Sequence, residues 1–393
     1  MPLRMIIFMV VMPAVWTALH VYMGRRLLVD VRGGTRRWGW AAVAMLALLP
    51  IVAFVSMRLG DGAALRTVQW LGYVMMGISS VLFFGVLAAD VVRRGTRLGR
   101  RIRARRSAQP DLADVSRRGF LARGANIGIL AGTGSVAGVG LVQAARPPEV
   151  VEVEVPIEGL PAALDGYRIV QISDVHIGPS LRGDFLSDVV DRVNALEPDL
   201  VAVTGDLIDG YVENLAPEME SLKRLAAADG AFFVTGNHEY YWDGEAWCQH
   251  VADLGLTVLN NQHRVIERGG AKLLLAGVTD YSAGGHVAEH RSDPTLARKG
   301  APVCDVDVLL AHQPRSVFAA ADAGYDLQIS GHTHGGQYFP MNVFVHLVQP
   351  YVAGLERHAE KMWIYVSRGT AYWGPPLRVG APHEITVLRL VPA

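Results

Sequence analysis

Arg168-Ile169-Val170-Gln171-Ile172-Ser173-Asp174-Val175-His176-Ile177-Gly178 joins an apolar run to a loop holding a carboxylate and an imidazole two residues apart. The run has the length and composition of a buried strand, and the arrangement recurs. Residues 200–204 lead into Gly205-Asp206, and 232–235 into Gly236-Asn237-His238-Glu239. Residues 306–311 lead into His312, and 327–330 into Gly331-His332-Thr333-His334. Helical stretches at 183–196 and 216–227 separate the early members. Strands alternating with helices predict a largely parallel sheet, whose functional residues collect beyond the C-terminal ends of the strands. A strand is also expected at 151–155, where apolar and acidic residues alternate. Later strands, at 257–259, 265–268, 272–276, 361–366 and 384–390, lie closer together and predict a second, more antiparallel sheet. Two sheets face to face with helices outside would form a four-layer α/β sandwich.

The five loops supply Asp174, His176, Asp206, Asn237, His312, His332 and His334. Carboxylate, imidazole and amide oxygen without thiolate suit borderline divalent metals such as Mn, Fe or Zn. One carboxylate with several neutral ligands on each side suits two ions sharing an oxygen, and Asp206 is the natural bridge. Two ions about 3.5–4 Å apart can bind both the nucleophile and the phosphoryl oxygens, and acidify a bound water towards neutral pH. Singly, Asp-x-His or Gly-Asp is an ordinary turn; the ordered set, each member following a strand, points to a metal site. The only cysteines, Cys248 and Cys304, exclude a disulfide scaffold and a Cys-based metal site, and leave open one disulfide or two thiols.

Asp174-x-His176, Gly205-Asp206-x-x-Asp209, Gly236-Asn237-His238-Glu239, His312 and Gly331-His332-x-His334 resemble the five signature blocks of the calcineurin-like metallophosphoesterases. The resemblance covers about residues 165–390. Gly331-His332-Thr333-His334-Gly335-Gly336-Gln337 and Tyr365-Val366-Ser367-Arg368-Gly369 match the membrane-anchored bacterial branch. It implies a four-layer αββα sandwich and a binuclear site. The first metal would take Asp174, His176, Asp206 and His334, and the second Asp206, Asn237, His312 and His332. His238 would assist the leaving oxygen, oriented by Asp209. Glu239 stands where the family often has Asp, with no expected effect on ligation. The implied activity is hydrolysis of phosphate esters, with phosphodiesters favoured. The alternative is a membrane-anchored metal-binding or scaffolding protein without turnover, against which the intact His238 and Asp209 argue.

The chain has 393 residues and a formal net charge of zero, but the zero is a cancellation. Residues 1–146 hold 20 basic and 5 acidic side chains, a balance of +15, and residues 147–393 balance at −15. With 51% hydrophobic and 19% charged residues, the composition excludes an intrinsically disordered chain, and no nucleic-acid-binding signal stands out. Four apolar runs, at about 3–23, 38–57, 67–89 and 125–145, each have the length a helix needs to cross a bilayer. Residues 1–146 are therefore expected to form an all-α region of four transmembrane helices. Arg146-Pro147-Pro148-Glu149 marks the boundary to a phosphoesterase domain at 147–393. His20 and Asp90 are expected near helix ends, within reach of water.

Five arginines lie between the first two runs and eleven between the last two, against Arg58 and Arg66 in the middle loop. By the positive-inside rule the catalytic half lies outside the cytoplasmic membrane. Ser116-Arg117-Arg118-Gly119-Phe120-Leu121 resembles a twin-arginine export signal, making that machinery a candidate partner. An extracytoplasmic, tethered site favours esters at the bilayer surface, including lipid-linked ones, and membrane lipids as partners. The apolar segment 338–348, with 373–377, reads equally as a lipid-contacting lip or a buried element. The topology predicts that a reporter fused after Ala393 is active only outside the cytoplasm; activity confined to the cytoplasm would overturn it.

Overall fold

The computed structural model describes residues 3–57, 62–104 and 115–393. The chain divides into two compact units, Met1–Val142 with Pro375–Leu377, and Gln143–Gly374 with Arg378–Ala393. In the first unit the apolar runs become α1 (Leu3–Leu27), α2 (Gly33–Ser56), α3 (Ala63–Ala104) and α4 (Val115–Ala144). Among the described residues three helices are long and apolar enough to cross a membrane, Gly33–Ser56, Ala63–Gly99 and Arg123–Ala144. The span expected at 3–23 falls on α1, whose side chains up to residue 9 lie outside the described residues. So do the side chains of the twin-arginine-like motif at 116–121, in the first turns of α4.

Two readings of this unit are corrected. Arginines 93–103, expected in a loop, belong to α3, because no proline interrupts the stretch and arginine and leucine favour helix. His20 does not reach water. It is 2% exposed, with Nδ1 2.8 Å from the Trp16 carbonyl and Nε2 3.0 Å from Ser79 Oγ. Asp90 is paired with Arg26 and accepts a hydrogen bond from Tyr22 at 2.9 Å, tying α1 to α3.

The second unit contains two six-stranded sheets. The first runs in the order β1 (Glu149–Ile157), β12 (Glu384–Pro392), β2 (Arg168–Ile172), β3 (Leu200–Val203), β4 (Ala231–Phe233), β5 (Thr257–Val258). The second runs β10 (Gly354–Arg357), β11 (Trp363–Val366), β9 (Leu327–Ser330), β8 (Val306–Leu310), β7 (Ala271–Gly277), β6 (Gln262–Arg268). It is the more antiparallel of the two sheets, as expected above, though not throughout. Only β6–β7 and β10–β11, the short-connected pairs at its two edges, are antiparallel, while β7, β8, β9 and β11 are parallel. Two strands expected in that sheet lie in the first: β5 is parallel to β4, and β12 is antiparallel to β2 with Thr386 opposite Gln171 and parallel to β1, each placed by pairing rather than by closeness in sequence.

Period-two alternation sends one row of each strand into the space between the sheets. Ile169, Leu200, Ala202 and Phe232 there meet Leu273, Leu275, Val308, Leu310 and Ile329 in one buried cluster. The intervening residues Val170, Ile172, Val201 and Val203 are buried too, so the first sheet is covered on both faces. Helix α5 (Gly183–Asn194), the crossover from β2 to β3, buries Leu186, Val189, Val190 and Val193, the stripe that 3.6 residues per turn produces. The outer face of the second sheet buries Leu274, Ala276 and Leu309 with Ala297, Val317 and Ala320 from short helices. Cys248 is buried and Cys304 half-buried, and both are free thiols.

Candidate metal centre

The parallel strands β2, β3 and β4 of one sheet and β8 and β9 of the other are each followed within four residues by a residue of the loop set: Asp174, Asp206, Asn237, His312 and His332. Hydrogen bonds between neighbouring loops fix their relative height. The Asp174 amide donates to the Gly205 carbonyl (3.0 Å), and the Gly331 amide to the His312 carbonyl (3.0 Å). Across the sheets, Gln171 Nε2 donates to the Ser330 carbonyl at 2.9 Å. Past the ligand turns the chain pairs again at Ile177 and Ile208, so both turns are held from both ends.

The turns themselves are strained. Nine non-glycine residues among those described have positive φ, and five of them are Asp174, His176, Asp206, His332 and His334. The left-handed region disfavours side chains, and such residues persist where the surroundings over-determine them. Close approach also fixes residue type: a Cβ on Gly331 would stand 2.3 Å from Asp174 Oδ2 and 2.0 Å from Ser173 Oγ.

These constraints bring six of the candidate side chains into two adjoining groups. Asp174, His176 and His334 form one group, with His176 Nε2 3.1 Å from His334 Nε2 and His334 Nε2 3.5 Å from Asp174 Oδ1. Asp206, His312 and His332 form another, with His312 Nε2 3.1 Å from Asp206 Oδ2 and 3.2 Å from His332 Nδ1. Asp206 Oδ2 also lies 3.8 Å from His176 Nε2, so this one oxygen faces both groups. Ligand atoms about 2.1 Å from a shared cation stand roughly 3.0–3.4 Å apart, close to the 3.1–3.5 Å separations above.

The donor chemistry agrees with a cation. His312 Nδ1 donates to the Thr204 carbonyl at 2.7 Å, which fixes the ring and turns Nε2 towards Asp206, whose carboxylate raises the imidazole well above its ordinary range. Asn237 is 7% exposed, and its Oδ1 is buried without a hydrogen-bond partner, an acceptor awaiting positive charge. Burial and the Arg378 guanidinium push His334 well below the usual imidazole range, and burial with His312 lowers His332 to about 3. Both are neutral at pH 7, as ligands must be. Burial would raise the Asp206 carboxyl, but His312, His238 and His176 outweigh it and hold it well below its ordinary range.

His238 stands at the mouth. Its Nδ1 is 2.5 Å from Asp209 Oδ1, and its Nε2 is 3.9 Å from Asp206 Oδ2. Burial opposes its charged form, yet Asp206 and Asp209 raise its pKa to about 9, so it carries a proton at neutral pH. Asp209 Oδ2 is also 3.3 Å from His176 Nδ1, so one carboxylate orients both rings.

The sequence profile of the calcineurin-like phosphoesterases matches residues 167–336, which contain the seven ligand candidates with Asp209 and His238. A zebrafish (Danio rerio) protein described as a transmembrane protein with metallophosphoesterase domain is 36% identical over 324 residues, 80% of this chain and 72% of that one. The chain belongs to the calcineurin-like metallophosphoesterases. A bovine (Bos taurus) protein of the same description is 41% identical over 64% of this chain and 59% of its own length. An uncharacterized metallophosphoesterase of Helicobacter pylori is 37% identical over 64% of this chain and 66% of its own. Membership makes the domain that of a phosphoric ester hydrolase.

Within this metallophosphoesterase, several residues around the site were given no role there by the sequence reading. Glu239, passed over for ligation, is fully buried and accepts from three backbone amides: Gly236 (2.6 Å), Leu207 (2.8 Å) and Asp206 (3.0 Å). It pins the Asp206 turn to the Asn237 turn. Arg378 is also fully buried, donating through Nη1 to the carbonyls of His334 (2.9 Å), Arg368 (2.8 Å) and Ala381 (3.1 Å). Trp373 and Tyr241 wall the mouth, with ring centroids 5.3 and 5.1 Å from that of His238, and are about half exposed. Glu239→Ala would leave three buried amides unsatisfied, each costing about 1–3 kcal/mol. The variant should lose roughly 3 kcal/mol or more of stability in chemical denaturation and bind metal more weakly; wild-type stability and metal content would contradict the pinning role.

Proposed function

We propose that the chain hydrolyses phosphate esters, phosphodiesters foremost, at a binuclear site on the outer face of the cytoplasmic membrane, with lipid-linked esters among its substrates. The observation that carries the proposal is the position of Asp206 Oδ2, a single buried oxygen within 4 Å of imidazoles from both ligand groups. Asp174, His176, Asp206 and His334 would hold one ion, and Asp206, Asn237, His312 and His332 the other. Two divalent ions held there would supply Lewis acidity towards the phosphoryl oxygens and an acidified water at neutral pH.

The chain's own residues perform the remaining tasks. Asp206 aligns the two groups through one side chain. Asp209 holds the Nδ1 proton of His238, so the Nε2 proton is free to be donated to the departing ester oxygen. An alkyl diester has a poor alkoxide leaving group, and a protonated donor at that point is what it requires. Trp373 and Tyr241 narrow the approach beside His238 and limit water around the reacting group. A scaffold without turnover would not need His238 charged and oriented in this way. The arginine distribution supports the outward orientation, and the motif at 116–121 supports export through the twin-arginine machinery.

The test uses the full chain in detergent with an aryl phosphodiester and the corresponding monoester. Turnover should require Mn, Fe or Zn and fall on chelation. His238→Ala should lower kcat by about 10²–10⁴-fold while metal content is unchanged. Asp206→Asn should lose metal and activity together; full activity in that variant would overturn the assignment.

A further inference from the structure

The segment 338–348 follows the ligand candidate His334 after only three residues, and most of it lies at the surface. Helix Met341–Phe344 and the turn Val345–Leu347 leave Val343 56%, Leu347 78% and Val348 64% exposed, and the preceding Phe339 58%. No residue of 338–348 carries a formal charge apart from what His346 acquires on protonation. An apolar run of this density on a domain surface marks an interaction site.

The run is fastened to the metal loop. Gly336 packs so closely on Asn342 that a Cβ there would stand 2.1 Å from the Asn342 Cα. Gln337 holds Trp373 by both amide atoms, Nε2 donating to the Trp373 carbonyl (3.1 Å) and Oε1 accepting its amide (3.0 Å). Trp373 in turn lies against His238. At the far end Arg315 Nη2 donates to the Val348 carbonyl at 2.6 Å, leaving a cation at the border of the apolar segment. The apolar segment is therefore joined to the candidate site by direct contacts.

What covers the lip follows from the rest of the chain. Among the described residues three helices are long and apolar enough to cross a membrane, and only four residues, Ala145-Arg146-Pro147-Pro148, separate the end of α4 from β1. A bilayer is thus the partner every copy meets. Aromatic and aliphatic side chains with a bordering cation are the composition that settles at the boundary between headgroups and acyl chains. We infer that the segment 338–348 is a lipid-facing lip that enters the bilayer interface and presents phosphate esters of the headgroup layer to the metal centre. The substrate class in this inference rests on the hydrolysis proposed above, whereas the membrane contact does not.

The experiment places the full chain, with Cys248→Ala and Cys304→Ala, in phosphatidylethanolamine–phosphatidylglycerol nanodiscs. An environment-sensitive fluorophore is attached to Leu347→Cys, or to Val348→Cys if the first variant does not fold. Val303→Cys, 93% exposed in the native chain, is the reference. Interfacial elements sit roughly 5–10 Å into the boundary, so lipids with a quencher just below the headgroup should remove about half or more of the lip emission. The reference emission should be unaffected by those lipids and quenched by aqueous iodide, which should spare the lip. Iodide quenching of the lip overturns the inference. Protection from both quenchers also overturns it and assigns the surface to a second copy or another protein. Aryl phosphodiester turnover is measured on the same samples; its absence would count against the proposed hydrolysis and leave the lip to be judged by quenching alone.

Discussion

Asp206 is a carboxylate almost wholly withdrawn from water, with one oxygen facing imidazoles from two ligand groups and the other accepting the His238 amide at 2.9 Å. A buried anion is tolerated only when positive charge or donors surround it, and much of the second unit serves that requirement. Strands of both sheets end at one edge, so that imidazoles from each converge on the same oxygen. Glu239 ties down the turn that carries Asp206, and Asp209 keeps His238 charged beside it. The left-handed backbone at five of the seven ligand candidates is the conformational cost of bringing short loops to one point.

The legible parts of this arrangement are those where periodicity and chemistry coincide. The strands preceding Asp174, Asp206, Asn237, His312 and His332 were readable because apolar runs end abruptly in polar, glycine-bearing turns. The helices α2, α3 and α4 were readable from uncharged length. Other features depend on contacts remote in sequence. β12 leaves its sequence neighbour β11 and inserts between β1 and β2, and no local pattern specifies that pairing. Arg378 lies in a glycine- and proline-rich tail that reads as surface, yet it is buried because loop carbonyls at His334, Arg368 and Ala381 converge around it. Glu239 looked like a conservative replacement within a motif; its three amide partners appear only when two loops meet. His20 looked like a helix-end residue until Ser79, 59 positions away, was seen to bond it.

The two halves of the charge balance have different physical origins. The basic half concentrates arginines beside apolar helices, the pattern that orients segments in a membrane. The acidic half includes carboxylates turned inward towards a cation site, so part of its negative charge never faces solvent. An exposed apolar segment adjoins that site in sequence, joined to it through Gln337 and Trp373.

The most direct test of the account is the metal stoichiometry and magnetic state of the full chain in detergent after loading with manganese. Two ions per chain, with the electron paramagnetic resonance spectrum of an exchange-coupled pair that is lost in Asp206→Asn, is the result predicted by a shared carboxylate oxygen. A single ion per chain, or two ions giving only uncoupled spectra, would contradict it.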